Sequence, residues 1–124
     1  MLVDVHAHLD GVEDMERTLA EAYQAGVRKI IAVSWDIESY EKTCAIKSES
    51  VKIYPALGIH PWNATSGLNE LEKALDKLKN VRFVGEIGLD RVYSTDPKEH
   101  AAQLKVFTAF LEACKGADKV LNIH

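Results

Sequence analysis

A parallel α/β fold follows from three features of this sequence. Short apolar runs alternate with segments of helical periodicity from one end to the other. Each helix-like segment is long enough to cross over a sheet and return the chain in the same direction. The residues suited to polar chemistry gather just after the apolar runs rather than scattering. The predicted order is βαβαβαβαβ, with no linker, low-complexity tract or second domain, which describes a parallel sheet covered by helices.

The elements follow in order. Leu2 to Val5 is a short apolar strand. Val12, Met15, Leu19 and Ala22 recur at helical spacing, and Gly26 closes that helix. Lys29 to Val33 is a second strand, after which Asp36 is placed to cap a helix whose apolar stripe is Ile37, Tyr40 and Cys44. Ile53 to Gly58 reads as a third strand despite Pro55, and Leu68, Leu71, Leu75 and Leu78 mark a third helix. Phe83 to Ile87 is a fourth strand. Asp96, Pro97 and Glu99 supply a cap, a first-turn proline and an early acid, and they start a helix with the stripe Leu104, Phe107, Leu111 and Cys114. Val120 to Ile123 is a fifth strand, followed by His124.

Composition narrows the function classes. With 124 residues, 47% hydrophobic and 27% charged, the chain has the make-up of one globular domain. A net charge of −4 excludes a broad basic surface for nucleic acid, so affinity for phosphate has to come from a local site such as bound cations. Cys44 and Cys114 show no paired motif and fall at apolar positions of helix-like segments, which predicts free buried thiols in a reducing, cytoplasmic compartment. No apolar stretch is long enough to span a membrane. No basic region precedes an apolar run at the start of the chain, so no signal peptide is expected.

The polar residues share one location. His6 and His8 follow the first strand in "VDVHAHLD", His60 follows the third in "GIHPWN", Glu86 ends the fourth in "VGEIGLD", and His124 ends the fifth in "LNIH". Of five histidines, only His100 lies elsewhere. In a parallel barrel the C-terminal ends of all strands open onto one face. Residues two apart on a strand point to the same side, so His6 and His8 can reach one ion. Imidazole and carboxylate together suit zinc, iron, manganese or a similar divalent cation, and the two oxygens of Glu86 can serve two ions. Gly85 and Gly88 beside Glu86 permit close backbone approach. His60 is followed by Pro61 and suits positioning of a substrate phosphate or proton transfer, or simply a backbone partner in a tight loop. Asp4 and Asp90 are candidates to orient ligand histidines, Asp10 to cap the first helix, Trp35 and Trp62 to line the mouth, and Arg91 to meet a phosphate or form a salt bridge.

These motifs, with the helix "QLKVFTAFLEAC", resemble the TatD-related metal-dependent hydrolases of the amidohydrolase superfamily, in the same order from residue 2 to residue 124. The resemblance implies a TIM-type (β/α)8 barrel with two divalent metal ions (zinc, manganese, magnesium or iron). It implies a phosphodiesterase or deoxyribonuclease acting on DNA through a metal-activated water. Position by position, His6 and His8 look like ligands of one ion, Glu86 like the bridging ligand and His124 like a ligand of the second. His60 resembles an active-site histidine that is not a primary ligand.

The family continues for roughly as many residues again, supplying a further histidine and a late aspartate. This chain also has "KVLNIH" where a proline often precedes the strand, and Arg91 where an aromatic usually follows "GLD". A TIM barrel needs about 250 residues, so residues 1–124 are expected to form the N-terminal half of one, with five strands and four helices. An open strand edge then favours self-association. Two other functions fit the same motifs: a metal-dependent amide, ester or lactone hydrolase, and a half-barrel without catalytic competence.

Overall fold

A computed structural model describes residues 1–124 and contains five strands, all in parallel register. Strand β1 (Leu2–Ala7) pairs with β2 (Val27–Val33), which pairs with β3 (Lys52–Ala56); β4 (Phe83–Ile87) pairs with β5 (Val120–Ile123). The two ladders meet just past the end of β3. There Leu57 N–H donates to Phe83 O (3.1 Å) and Gly85 N–H to Leu57 O (2.9 Å). The strands therefore follow one another in sequence order. β1 has a backbone partner on one side only, and so does β5. The apolar side chains of Leu2, Val3 and Val5 on β1, and of Val120 and Ile123 on β5, remain exposed.

Gly58 sets how closely β3 approaches β4. A Cβ there would lie 2.4 Å from the carbonyl carbon of Gly85 and 2.5 Å from Glu86 O. Both are backbone atoms that cannot rotate away, so only glycine lets the two strand ends meet.

Helix α1 (Met15–Gln24) is capped by Asp14, whose side chain accepts from Arg17 N–H, and not by Asp10. Helix α2 (Ile37–Cys44) starts at Asp36 as expected, in a reciprocal capping box with Ser39. Its buried residues are Ile37, Ser39 and Thr43 rather than the stripe Ile37, Tyr40 and Cys44. Two polar side chains go inside because the helix satisfies them itself. Ser39 Oγ accepts from the N–H groups of Trp35 and Asp36, and Thr43 Oγ1 donates to Ser39 O (2.9 Å). Tyr40 is half-buried against the core, and Cys44 is exposed, which corrects the expectation of a buried thiol. Cys114 is buried, and neither cysteine is bridged.

The third helical segment is broken. A 3₁₀ turn (Pro61–Asn63) runs into a single turn, α3 (Ala64–Gly67), and α4 (Leu71–Leu78) follows. Leu68, Leu71 and Leu75 still pack on the core, and Leu78 is buried. Helix α5 (Pro97–Cys114) begins at Asp96 as predicted, but it turns a different face to the sheet. Ala102, Val106, Phe110 and Cys114 form the buried row, whereas Leu104 and Leu111 are 53% and 37% exposed. This helix is apolar on more than one face, so its periodicity alone left the phase open. The main core lies between α4, α5 and the β3–β4 junction, and a smaller one around Leu9, Leu19, Ile30 and Val51 packs α1 on β2. No helix is long and apolar enough to cross a membrane.

Candidate metal centre

The C-terminal ends of the strands converge on Glu86. Leaving β4, its side chain is 5% exposed, and its two oxygens face different partners. Oε2 lies 3.2 Å from His6 Nε2 and 3.1 Å from His8 Nε2. Oε1 lies 2.5 Å from His124 Nδ1 and 3.7 Å from His60 Nε2. The donors thus divide into two groups, His6–His8–Glu86 and His60–Glu86–His124, each with its donor atoms within 4.8 Å of one another. All five candidate residues, His6, His8, His60, Glu86 and His124, come together. Burial alone would raise the Glu86 carboxyl, but the hydrogen bond from His124 and the neighbouring His60 and His6 hold it below its ordinary value.

Each imidazole is held differently. His8 stacks on Trp35, with ring centroids 4.4 Å apart and planes 25° from parallel. Its Nδ1 is buried without a hydrogen-bond partner. His60 Nδ1 accepts the main-chain N–H of Trp62 (3.1 Å). A main-chain N–H only donates, so the neutral ring carries its proton on Nε2, facing Glu86. Ligation through Nε2 would need the other tautomer, whose Nδ1–H would collide with the Trp62 N–H. His60 is therefore suited to donate rather than to ligate. Burial drives its pKa down to about 4, against the opposing pull of Glu86.

His124 meets carboxylates at both ring nitrogens: Glu86 Oε1 at Nδ1 and Asp90 Oδ2 at Nε2 (3.0 Å). Burial lowers its pKa, but the hydrogen bonds to Glu86 and Asp90 outweigh that, and the net shift is upward. Asp90 is locked in place. Its Oδ1 accepts the N–H groups of Tyr93 and Val92, and its Oδ2 accepts Trp62 Nε1–H (2.7 Å). Those donors, the Tyr93 N–H foremost and then Trp62, hold the carboxyl far below the usual range. With a carboxylate at each ring nitrogen the protonated ring donates at both; with a cation at the second group, Asp90 would keep the proton on Nε2 and leave Nδ1 to ligate, the arrangement that orients ligand histidines in metal sites.

Trp35 and Trp62 do line the site, with Trp62 edge-on to His60 and His124. Asp4 accepts only the backbone N–H of His6 and does not reach a ring. Arg91 is exposed. Two residues went unread in the sequence. Gln103, buried on α5, accepts the Asp90 N–H through Oε1 (2.9 Å), and no local pattern announces that. Asn122 on β5 contacts His6 (2.8 Å). Its signal was available in "LNIH", because it shares a strand face with His124 just as His6 does with His8.

The donor set fits divalent cations. Two imidazoles and one carboxylate oxygen form the first group; one imidazole and the other oxygen of the same carboxylate form the second, where His60 is turned away from ligation by its tautomer. The family model described as TatD-related DNase matches residues 3–124. The chain belongs to the TatD-related DNase family. It is 36% identical over 104 residues to the uncharacterized metal-dependent hydrolase YjjV of Escherichia coli (strain K12), covering 77% of this chain and 40% of YjjV. It is 30% identical over 130 residues to the uncharacterized metal-dependent hydrolase YabD of Bacillus subtilis (strain 168), covering 100% of this chain and 50% of YabD. The crystal structure of YjjV superposes with a TM-score of 0.78 at 31% identity, over 99% of this chain and 50% of that one. The chain thus spans about half the length of the TatD-family relatives it matches, as a partial barrel of their type.

Proposed function

We propose that residues 1–124 are the N-terminal half of a TatD-type phosphodiesterase, and carry three ligands of one ion and two of a second in a two-ion centre that hydrolyses DNA. The observation that carries this reading is the division of the Glu86 carboxylate, with Oε2 toward His6 and His8 and Oε1 toward His124. His6 Nε2, His8 Nε2 and Glu86 Oε2 would hold one divalent cation, and Glu86 Oε1 with His124 Nδ1 would supply two donors to a second. When bound, such ions polarise a phosphoryl group and acidify water near neutral pH. The chain's own residues orient and donate. With a cation bound, Asp90 would keep the His124 proton on Nε2, the stacked Trp35 would hold the plane of His8, and the His60 Nε2–H would donate to a phosphate oxygen. DNA as the substrate rests on the family's description. The two unbridged thiols favour a reducing, cytoplasmic setting.

The metal site is tested by elemental analysis of the purified chain beside a His6→Ala, His8→Ala double variant. Bound zinc, manganese or iron in the wild type and its loss in the variant are expected. Unchanged metal content in the variant would sink the ligand assignment.

The open sides of β1 and β5, with their exposed apolar side chains, support self-association of the isolated chain. Sedimentation velocity should show weight-average mass rising with concentration. A monodisperse monomer over a wide concentration range contradicts it.

A further inference from the structure

We propose that Asn122 is a positioning residue that sets the tautomer of His6 for metal binding, an inference that rests on the first ion site proposed above. Asn122 lies on β5, and its amide reaches across to β1, a strand with which β5 shares no backbone ladder. Its Nδ2 donates to Val5 O (2.6 Å), and its Oδ1 lies 2.8 Å from His6 Nδ1. A main-chain carbonyl only accepts, so the amide NH2 must face Val5 and the amide oxygen must face His6. That oxygen also only accepts, so His6 carries its proton on Nδ1. The lone pair of the neutral ring is then on Nε2, the atom 3.2 Å from Glu86 Oε2 and grouped with His8. One amide, oriented by one backbone carbonyl, thereby selects the ring form that can ligate.

The backbone makes room for this contact. A Cβ on Gly85 would lie 2.7 Å from Asn122 Cβ and 2.8 Å from Asn122 O, and Gly85 has φ +149°, where side chains are rarely tolerated. Glycine at 85 thus lets β5 sit close enough for an Asn side chain to span the gap. The partner ligand has no such help: His8 Nδ1 has no hydrogen-bond partner, and its ring is held by stacking on Trp35 instead. His6 is more exposed, with 42% of its side chain accessible, and has no aromatic ring stacked flat against it, so its orientation depends on the amide.

The test compares the wild-type chain with Asn122→Leu, which removes both hydrogen bonds at similar size, and Asn122→Asp. The aspartate keeps an acceptor for His6 Nδ1–H but sets an oxygen against Val5 O. Zinc affinity is measured by competition with a chromophoric chelator, and the ring tautomer by long-range ¹H–¹⁵N correlation of the zinc-loaded chain. We expect His6 bound through Nε2 with Nδ1 protonated in the wild type. Affinity should fall about 10–100-fold in Asn122→Leu, the usual cost of losing a partner of a ligand histidine, and remain near wild type in Asn122→Asp. Wild-type affinity in Asn122→Leu overturns the proposal while leaving the ion site intact. Equal loss in both variants also overturns it, because the amide would then serve only to join the strands. If Asn122→Leu does not fold, the wild-type spectrum decides, and a zinc-bound His6 Nδ1 refutes the assignment. A wild-type chain that takes up no zinc overturns the ion site and this inference together.

Discussion

Glu86→Ala leaves neither group of imidazoles with its carboxylate, and divalent-cation binding to the purified chain falls below detection. No other single side chain takes part in both groups, since Oε2 faces His6 and His8 while Oε1 faces His124 and His60. The expected loss exceeds the roughly 10–100-fold that follows from removing a partner behind a ligand, because a charged donor itself is gone. Glu86→Gln separates charge from shape. It keeps an acceptor oxygen in the same place but removes the negative charge that two cations would share, so binding at the second group should disappear first. Isothermal titration with zinc and with manganese reads both effects. Tight binding of two ions by Glu86→Ala would mean that the histidines alone form the sites.

On the proposed function, hydrolysis of DNA is expected to need more than residues 1–124 supply. A chain continued to the full length of its relatives should cleave single- or double-stranded DNA with added manganese or magnesium. Residues 1–124 alone should be slower by at least about three orders of magnitude, or about 4 kcal/mol in the barrier. The physical reason is the second group. Glu86 Oε1 and His124 Nδ1 are two donors, His60 is turned by Trp62 into a hydrogen-bond donor, and β5, which His124 follows, has a backbone partner on one side only. Reacting groups need placement within about 0.5 Å, and two donors, one of them following the edge strand β5, do not define that. Both forms are assayed with Glu86→Ala as the control for contaminating nuclease, and with chelator to show metal dependence. Comparable turnover by the short chain, abolished by Glu86→Ala, would show that the other half is dispensable or is replaced by a second copy of the chain. Hydrolysis of small esters or amides without nuclease activity in the full-length form would instead move the substrate within the superfamily.

Much of the architecture was legible because it is local. The apolar runs at Ile30–Val33 and Phe83–Ile87 mark strands, and Asp36 and Asp96 cap helices through their own nearby backbone, so each is specified within a few residues. The alternation of strands and helices then dictates parallel pairing, and parallel pairing sends His6, His8, His60, Glu86 and His124 to one end. Their gathering is thus legible in the order of the motifs alone. What only the tertiary structure decided concerns relations between elements. Helix α5 carries apolar residues around much of its circumference, and contact with the sheet selected Ala102, Val106 and Phe110 over Leu104 and Leu111. Helix α2 buried Ser39 and Thr43 and left Cys44 outside, because intrahelical hydrogen bonds removed the cost of burying those hydroxyls. The division of the Glu86 oxygens and the reach of Asn122 from β5 to His6 both depend on where two strands distant in sequence come to lie side by side. Periodicity states which residues share a face; only packing states what that face meets.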